Sequence, residues 1–417
     1  MEQRKLYRTI DNFIREAPKF SKVEELLTYV MRQIINFEDI HILGARLWKL
    51  NEKKIGYKLV EQVGNVDLID KNYQISIDNY PVMKEVGSRR TIMSEETDKY
   101  LIEKGIFHYS ATGIGEKIKI KDAKTNEAYF LYQYLMSFNV DHRYEGLANT
   151  LNIISVTLSS LIRARKIEKR EQESIVELEK ASEIQKSILP EHEQLFGNYE
   201  IFGISVPEKT VGGDFFDYIK NANDYKLAVV IGDAASKGVS AAAQALYVSG
   251  ALKMGVEYDV NMTSLIKKIN NLVHDVFPFE RFVTLFYCEI FKDRKGLCIY
   301  VNAGHNCPMI VRSKSDTVEM LVTTGSVLGP TTDSAYVTES FNLEKDDVFL
   351  LYTDGLVEAA NDKFEFYGED RLKNVLIKNK ERSPKEICEL ILEDVQKFSS
   401  FGKYSDDKTL VVIKRTN

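Results

Sequence analysis

The sequence predicts an α+β protein with two domains joined by a long helix. The chain has 417 residues, too many for one ordinary hydrophobic core, so two domains are the first expectation. From residue 163 to 188 the chain is highly charged and lacks glycine and proline, which is typical of a long exposed helix. Beyond about residue 195, strand-like segments occur in runs with helices between them, which favours a helix-flanked β-sandwich over an alternating parallel sheet.

Residues 1–162 are predicted to form a mixed α and β domain. Its elements are a helix at 24–37, strands at 42–51 and 54–64, and a hairpin at 115–135 with its turn at 122–127. The helix follows from apolar residues at helical spacing, and the hairpin follows from alternation on both sides of a polar turn. A final helix carries one apolar face, formed by Leu151, Ile154, Leu158 and Leu161.

Residues 163–190 are predicted to be a helical linker that ends at Pro190, because proline cannot continue a helix. A thin apolar stripe runs along it, formed by Ile175, Leu178, Ile184 and Ile188. A solvated single helix is one interpretation. We favour a parallel two-stranded coiled coil that joins two protomers, because the stripe continues the apolar face of the preceding helix. The sequence therefore predicts a homodimer.

Composition excludes several functional classes. A net charge of −6 gives no basis for a nucleic-acid partner. The first residues lack a signal-peptide core and no apolar run reaches the length of a membrane span, so no membrane association and a cytoplasmic location are expected. The four cysteines are Cys288, Cys298, Cys307 and Cys388. None forms a C-x-x-C pair, so reduced thiols are expected rather than zinc.

Acidic residues recur at the ends of predicted strands of residues 191–417. Asp214 follows two glycines, Asp233 follows Gly232, and Asp354 precedes Gly355, while Asp406 and Asp407 come just before a strand. Strand ends in one sandwich can converge on one edge, where several carboxylates would repel one another without a cation. Hard divalent ions prefer such oxygen ligands. Two ions about 3.5–4 Å apart would activate a water and bind the oxygens of a phosphoryl group.

The same segments occur in the order of a known family's signature blocks. They are EIQKSILP, PEKTVGGDFFD, GDAASKGVSAA, FVTLFY, NAGHNCP, GSVLG, LYTDGLVEA, FYGEDRL and SDDKTLVVI. Residues from about 180 to 417 therefore resemble the metal-dependent protein phosphatases (type 2C, or PPM, family), in their SpoIIE/RsbU-like branch. The resemblance implies a central β-sandwich flanked by helices. It also implies two Mn²⁺ or Mg²⁺ ions that activate water to attack phosphoserine or phosphothreonine directly.

The resemblance also implies roles for individual residues. The implied metal ligands are Asp214, Asp233, the Ala234 carbonyl, Asp354, and Asp406 or Asp407. Asp233 resembles the acid that bridges both ions, Asp214 the acid of the second ion, and Asp354 and Asp406 the remaining ligands of the first. Asp233, Asp214 and Asp354 are the implied catalytic residues.

A few positions depart from the branch. Lys209 stands where arginine is usual, and we expect it to contact phosphate as a point charge without a bidentate fork. Ser236 replaces a usual glycine, and Cys307 a common proline. Asp217 either supports a ligand or is structural. His305 could be a general acid, but a structural loop histidine is the favoured interpretation.

The N-terminal order of helix, strands, hairpin and exit helix resembles a GAF domain, a small sensory module. It lacks the motif of cyclic-nucleotide-binding members, so a ligand-free dimerisation module and a small-molecule sensor both stay open. For the whole chain, the resemblance implies a substrate. That substrate is a phosphorylated anti-sigma-factor antagonist with a STAS domain, in a partner-switching pathway under control of the sensor. The alternative is a phosphatase-fold binding module without turnover, suggested by Lys209 and Ser236.

Overall fold

The structure is a computed structural model. It describes residues 3–37, 41–51, 53, 56–65, 67–70, 73–80, 82–97, 99–104, 107–121, 126, 128–142, 144, 146–221, 223–292, 295–402 and 406–416. The chain divides into two compact units, Met1–Glu173 and Ser174–Asn417. None of the described helices combines the length and the hydropathy of a transmembrane span.

The first unit is built on one antiparallel sheet of six strands. The strands are β1 (Ile42–Leu50), β2 (Gly56–Gly64), β3 (Gln74–Ser76), β4 (Thr91–Glu95), β5 (His108–Lys121) and β6 (Ala128–Val140). Their order across the sheet is β3-β2-β1-β6-β5-β4. β5 and β6 form the predicted hairpin. Its predicted turn, apart from Asn126, lies outside the described residues.

Helices cover both faces of this sheet. They are α1 (Gln3–Glu16), α2 (Val23–Ile35), α3 (Val82–Arg89), α4 (Lys99–Glu103) and α5 (Leu147–Ile188). The core on one face joins α1, α2 and the start of α5 to the sheet, and the core on the other face joins α3 and α4 to it. α2 buries one face at helical spacing, which includes Leu26, Val30 and Ile34.

α5 is one continuous helix of 42 residues. Its first half is anchored, because Leu151, Ile154 and Leu158 are fully buried. Its second half carries the apolar stripe seen in the sequence, and there Ile175 and Ile184 are more than half exposed. The coiled coil that this stripe predicts stays a prediction.

The second unit is a sandwich of two antiparallel sheets, which confirms the predicted fold of this part. Its strands are β7 (Glu193–Phe196), β8 (Tyr199–Val206), β9 (Phe215–Lys220), β10 (Lys226–Ala234), β11 (Val283–Phe291), β12 (Leu297–Ala303), β13 (Met309–Val311), β14 (Val318–Met320), β15 (Glu339–Asn342), β16 (Val348–Tyr352) and β17 (Lys408–Arg415). One sheet has the order β15-β12-β11-β10-β9, and the other β14-β13-β16-β17-β8-β7.

Three cores hold the sandwich together as four layers. The helices are α6 (Val239–Glu257), α7 (Met262–Val276), α8 (Asp354–Val357), α9 (Glu369–Lys378) and α10 (Pro384–Ser399). α6 and α7 pack on the five-stranded sheet, whereas α9 and α10 pack on the six-stranded sheet. Apolar side chains from both sheets fill the space between them. The central strands are buried on both faces, which explains their continuous apolar sequences.

Candidate active site

Two of the predicted acids lie on neighbouring strands of the five-stranded sheet. Asp214 immediately precedes β9, and Asp233 is the penultimate residue of β10. β9 and β10 are antiparallel, and Gly232 pairs with Phe215. The start of β9 and the end of β10 therefore lie side by side, and the Asp214 and Asp233 carboxyl groups are close enough to shift each other's pKa.

Two more acids lie at the corresponding end of the other sheet. Asp354 follows β16 by two residues, and Asp406 precedes β17 by two residues. Because β16 and β17 are antiparallel neighbours, the end of one lies next to the start of the other. We call Asp214, Asp233, Asp354 and Asp406 the acidic edge of the sandwich.

Electrostatics link the acids of the two sheets. Burial, followed by the charges of Asp354 and Asp406, raises the pKa of Asp233 to about 7. Burial and the Asp233 charge raise the pKa of Asp214 well above its usual range. Burial, Glu358 and Asp406 raise the pKa of Asp354. Carboxylates that raise one another's pKa are close like charges, and a cation between them would relieve the repulsion.

Thr353 fixes the orientation of Asp214. Thr353 is fully buried, and its hydroxyl donates to Asp214 Oδ2 at 2.7 Å. Thr353 Oγ1 in turn accepts a hydrogen bond from the Thr409 amide at 3.0 Å. Thr353 thus connects Asp214, beside the five-stranded sheet, to the backbone of β17 in the six-stranded sheet.

Asp407 holds the glycine loop that precedes Asp214. Its two carboxylate oxygens accept hydrogen bonds from the Glu208 amide at 2.7 Å and the Gly213 amide at 2.6 Å. A Cβ at Gly212 would lie 2.6 Å from Asp407 Oδ2, so only glycine permits this approach. Asp406 does not contact these amides, and it forms an ion pair with Lys237 at 3.0 Å. Of the two adjacent acids, Asp406 is thus the better candidate ligand.

Gly213 keeps the Ala234 carbonyl accessible. A Cβ at Gly213 would lie 3.0 Å from Ala234 O and 2.9 Å from the Ala241 methyl. The carbonyl accepts a hydrogen bond from the Ser236 amide at 2.6 Å. Its predicted role as a metal ligand stays a prediction.

The end of α5 also holds the glycine loop. The Gln185 side chain donates to Gly212 O at 2.7 Å and accepts from Gly212 N at 3.2 Å. Gln185 is 8% exposed and Gly212 is buried. The last turn of α5 therefore holds the loop that carries Asp214.

Two lysines lie beside the acidic edge. Lys209 and Lys237 line one cleft together with Asp406 and Asp407, and both lysine side chains are exposed. Lys237 also lies 3.7 Å from Glu208. The cleft thus offers two cations within reach of an anionic substrate, and the role of Lys209 in phosphate binding stays a prediction.

Other singled-out residues have structural contacts. Asp217 is buried and pairs with Lys253 of α6 at 2.9 Å, away from the acidic edge. His305 is buried, its Nδ1 lies 2.8 Å from Thr284 Oγ1, and burial lowers its pKa to about 4. The imidazole is therefore neutral near pH 7, which agrees with the favoured structural interpretation. Ser236 donates to Gln244 Oε1 at 2.7 Å and so ties its loop to α6.

The acidic edge fits divalent ions by its chemistry. Its donors are oxygens only, and they are partly or fully buried. Within the described ranges, no three acidic, histidine or cysteine side chains converge on one point closely enough to hold an ion. Mg²⁺ usually takes one or two carboxylates and keeps several waters. At this edge, water molecules would have to complete the coordination of such an ion.

A family comparison decides the identity of this part of the chain. Residues 223–416 match the sequence model of stage II sporulation protein E (SpoIIE). These residues form a SpoIIE-family domain. The SpoIIE domain includes Asp233, Asp354 and Asp406, whereas Asp214 lies before the matched range. The match to residues 223–416, together with the similarity to a phosphoserine phosphatase described next, supports a protein serine/threonine phosphatase of the PPM type.

Curated relatives and a solved structure are similar to the same part. The phosphoserine phosphatase RsbU of Bacillus subtilis is 28% identical over 249 residues, which are 59% of this chain and 72% of RsbU. Protein IcfG of Synechocystis is 26% identical over 58% of this chain and 42% of its own length. The SiaA-PP2C domain of Pseudomonas aeruginosa superposes with a TM-score of 0.50 at 19% identity, over 59% of this chain and 98% of that domain. This last likeness concerns the fold alone.

Sequence reasoning missed four residues of the site. They are Gln185, Lys237, Thr353 and Glu358. Lys237, Thr353 and Glu358 lie within the signature segments, next to or near the acids, so their proximity was a usable signal. Gln185 also lies in a signature segment, EIQKSILP, but it is about 30 residues from the nearest acid of the acidic edge, and a glutamine on a charged helix has the pattern of a solvated residue.

Proposed function

We propose that this chain removes phosphate from phosphoserine or phosphothreonine of a protein substrate, at the acidic edge of its SpoIIE domain. The observation that carries the proposal is the approach of acids from two different sheets at one edge of the sandwich, where Asp354 and Asp406 raise the pKa of Asp233. A fold alone does not require like charges to gather at one partly buried place. A site that binds cations and, through them, phosphate does require it.

Two Mn²⁺ or Mg²⁺ ions held by Asp214, Asp233, Asp354 and Asp406 would supply positive charge and an activated water. The protein's own residues position these groups. Thr353 orients the Asp214 carboxylate, and Asp407 fixes the glycine loop through two amides. Lys209 and Lys237 flank the cleft, where an incoming phosphate would be attracted by both charges.

The proposed substrate is a phosphorylated STAS-domain protein that antagonises an anti-sigma factor. Support comes from the similarity of the SpoIIE domain to RsbU, which is named a phosphoserine phosphatase. Removal of the phosphate would free the antagonist to bind its anti-sigma factor. The exposed cleft suits a phosphoserine presented on a folded protein surface, because both lysine ammonium groups are accessible.

The test is phosphate release from a phosphoserine STAS protein by the full chain, with Mn²⁺, Mg²⁺ or EDTA. Asp233→Asn and Asp354→Asn should each lower kcat by about 10²-fold or more, the scale of removing one electrostatic group from an active site. The matched control is Asp370→Asn, because the Asp370 side chain is 99% exposed. Metal-independent release, or full activity of both variants, would contradict the proposal.

We further propose that α5 controls the site and joins two copies of the chain. Support comes from the contact of Gln185 with Gly212 and from the exposure of Ile175 and Ile184, at 55% and 58%. Burial of such a stripe against the same stripe of a second copy would form a coiled coil. A change in its packing would then act on the loop that carries Asp214.

Sedimentation of the Ile175→Lys, Ile184→Lys double variant tests the dimer. It should be monomeric at concentrations where the parent chain is dimeric, because two charges would lie in the seam. Lys169→Glu on the exposed surface of the same helix is the control. A monomeric parent chain, or a double variant with the parent's oligomeric state, would exclude dimerisation through this stripe.

A further inference from the structure

The first unit contains a cavity between its sheet and the helices α3 and α4. The cavity has a volume of about 50 Å³. One water needs about 10–15 Å³ by the same kind of measure, so the cavity has room for several non-hydrogen atoms. Its walls include Trp48, Met83, Val86 and Leu101, which are apolar, and a small group of polar residues at one side.

Arg46 is the unusual member of that polar group. Its side chain lines the cavity and is 1% exposed. In the part of the chain that the structure describes, its Nε has no hydrogen-bond partner, and its other two contacts are to the Asn139 Oδ1 at 2.6 Å and the Asp67 carbonyl at 3.3 Å. Burial lowers the pKa of Arg46 to about 10, and the nearby Glu96 charge opposes the effect. The guanidinium is therefore charged at neutral pH.

No ion pair joins Arg46 to a carboxylate among the described residues. Glu96 also lines the cavity, but its Oε1 accepts hydrogen bonds from the Tyr80 hydroxyl at 3.1 Å and the Thr97 amide at 2.8 Å. Buried charges in proteins are normally paired, because an uncompensated buried charge is strongly destabilising. Arg46 therefore has a donor, Nε, that an anion in the cavity could use.

Asn139 adds a second set of donors at the same wall. It is 2% exposed, and its Oδ1 is occupied by Arg46 while its Nδ2 has no partner among the described residues. Trp48 Nε1 donates to Ser137 Oγ at 2.9 Å, which leaves the Ser137 hydroxyl proton to donate elsewhere. On this side of the cavity, Arg46 Nε and Asn139 Nδ2 are donors without a partner among the described residues, and a carboxylate would supply two acceptor oxygens. The Glu96 carboxylate, which also lines the cavity, already accepts hydrogen bonds from Tyr80 and Thr97.

We infer that this cavity binds a small monocarboxylic acid, with its carboxylate on Arg46 and Asn139 and its apolar body against Trp48, Met83 and Leu101. Guanidinium and amide donors together match the geometry of a carboxylate. The cavity volume limits the body to a short aliphatic chain or a single ring. The inference concerns binding by the first unit, and it does not depend on the phosphatase activity of the second.

The chain supplies its own reporter for a binding test, because Trp48 is the only tryptophan in the sequence. Butyrate, hexanoate and benzoate are titrated into the full chain while tryptophan fluorescence is recorded, with the matching neutral amides as controls. At least one acid should change the fluorescence with a Kd of about 1 mM or tighter, and its amide should bind at least about tenfold more weakly. Thermal unfolding should show a rise of the midpoint with the same acid only.

Two variants test the residues involved. Arg46→Met should weaken binding of the acid by about tenfold or more and leave binding of the amide unchanged, since only the acid uses the guanidinium charge. Ala111→Leu, which fills the cavity from β5 and keeps Arg46, should weaken both. If Arg46→Met does not fold, two results still test the inference: the difference in affinity between each acid and its amide, and the loss of binding in Ala111→Leu. Equal binding of acids and amides, no response to any of the three acids at about 10 mM, or tight acid binding by Arg46→Met would overturn the inference.

Discussion

Replacement of Gln185 by leucine tests whether the end of α5 holds the active-site loop. Leucine has a similar size and suits a helix, but it can neither donate nor accept a hydrogen bond. The variant would leave Gly212 N and Gly212 O without the partners that they have at 3.2 and 2.7 Å. Both groups lie in a buried loop, where solvent cannot easily replace the lost bonds.

The size of the effect follows from these two bonds. Each neutral hydrogen bond contributes about 1 kcal/mol net, and a buried group left unpaired costs about 1–3 kcal/mol. Two bonds therefore predict a loss of at least about 2 kcal/mol from the free energy of unfolding of the second unit, or about 4–8 °C in its Tm. The loop can also move to rehydrate its backbone, and this would displace Asp214 and lower kcat.

The assay is phosphate release by the full chain beside thermal unfolding of the same preparation. Lys186→Ala is the matched control, because Lys186 lies next to Gln185 on the same helix turn and is exposed. We expect Gln185→Leu to lower both kcat and Tm and Lys186→Ala to change neither. Unchanged kcat and Tm in Gln185→Leu would refute the idea that this helix holds the loop.

Three further predictions concern the second unit. Gly355→Ala should prevent stable folding or lower Tm sharply, because its Cβ would overlap the Asp407 carbonyl oxygen. The control is Gly250→Ala in α6, where a Cβ meets nothing within 4 Å. It should raise the free energy of unfolding by up to about 1 kcal/mol. Asp407→Ala should lower Tm, because it removes two hydrogen bonds to the glycine loop. Asp406→Ala should leave Tm unchanged and weaken Mn²⁺ binding measured by calorimetry. If instead Asp406→Ala lowers Tm and Asp407→Ala weakens Mn²⁺ binding, the two roles are exchanged. Burial lowers the pKa of His305 from 6.5 to about 4, so the unfolded state binds the proton first, and stability should fall by about 3 kcal/mol as pH drops from 6.5 to 4. His305→Gln should show a shallower fall in denaturant titrations across that range, and an identical slope would contradict the assignment.

The strands of the sandwich could be predicted because each is a short, continuous apolar segment that can be recognised from its own residues. The segments at 226–233, 297–303 and 408–415 all lie in strands of the structure, since buried central strands need a continuous apolar composition. Short strands such as β14 and β15 were not recognised, because three or four residues do not establish a period. The pairing order of the strands depends on contacts distant in sequence, which no local pattern encodes.

The acids of the site could be predicted for a similar reason. Each lies next to a strand end and a glycine, and the ordered segments around them are specific to one family. The distinct tasks of Asp406 and Asp407 could not be predicted, because adjacent residues share the same local sequence. Only the structure shows that one carboxylate faces loop amides and the other faces Lys237.

The pairing of β8 with β17 governs how the protein can be made. Val206 pairs with Lys408 and Tyr199 with Arg415, so about 200 residues must be translated before the sheet that contains β8 can close, and contacts so distant in sequence form slowly. Until β17 leaves the ribosome, the nascent chain exposes the edges of β8 and β16 and lacks Asp406. Unpaired strand edges of this kind make a partly folded chain prone to aggregation. A chain that stops before residue 408 lacks the strand that joins β16 to β8, so its six-stranded sheet is left in two parts.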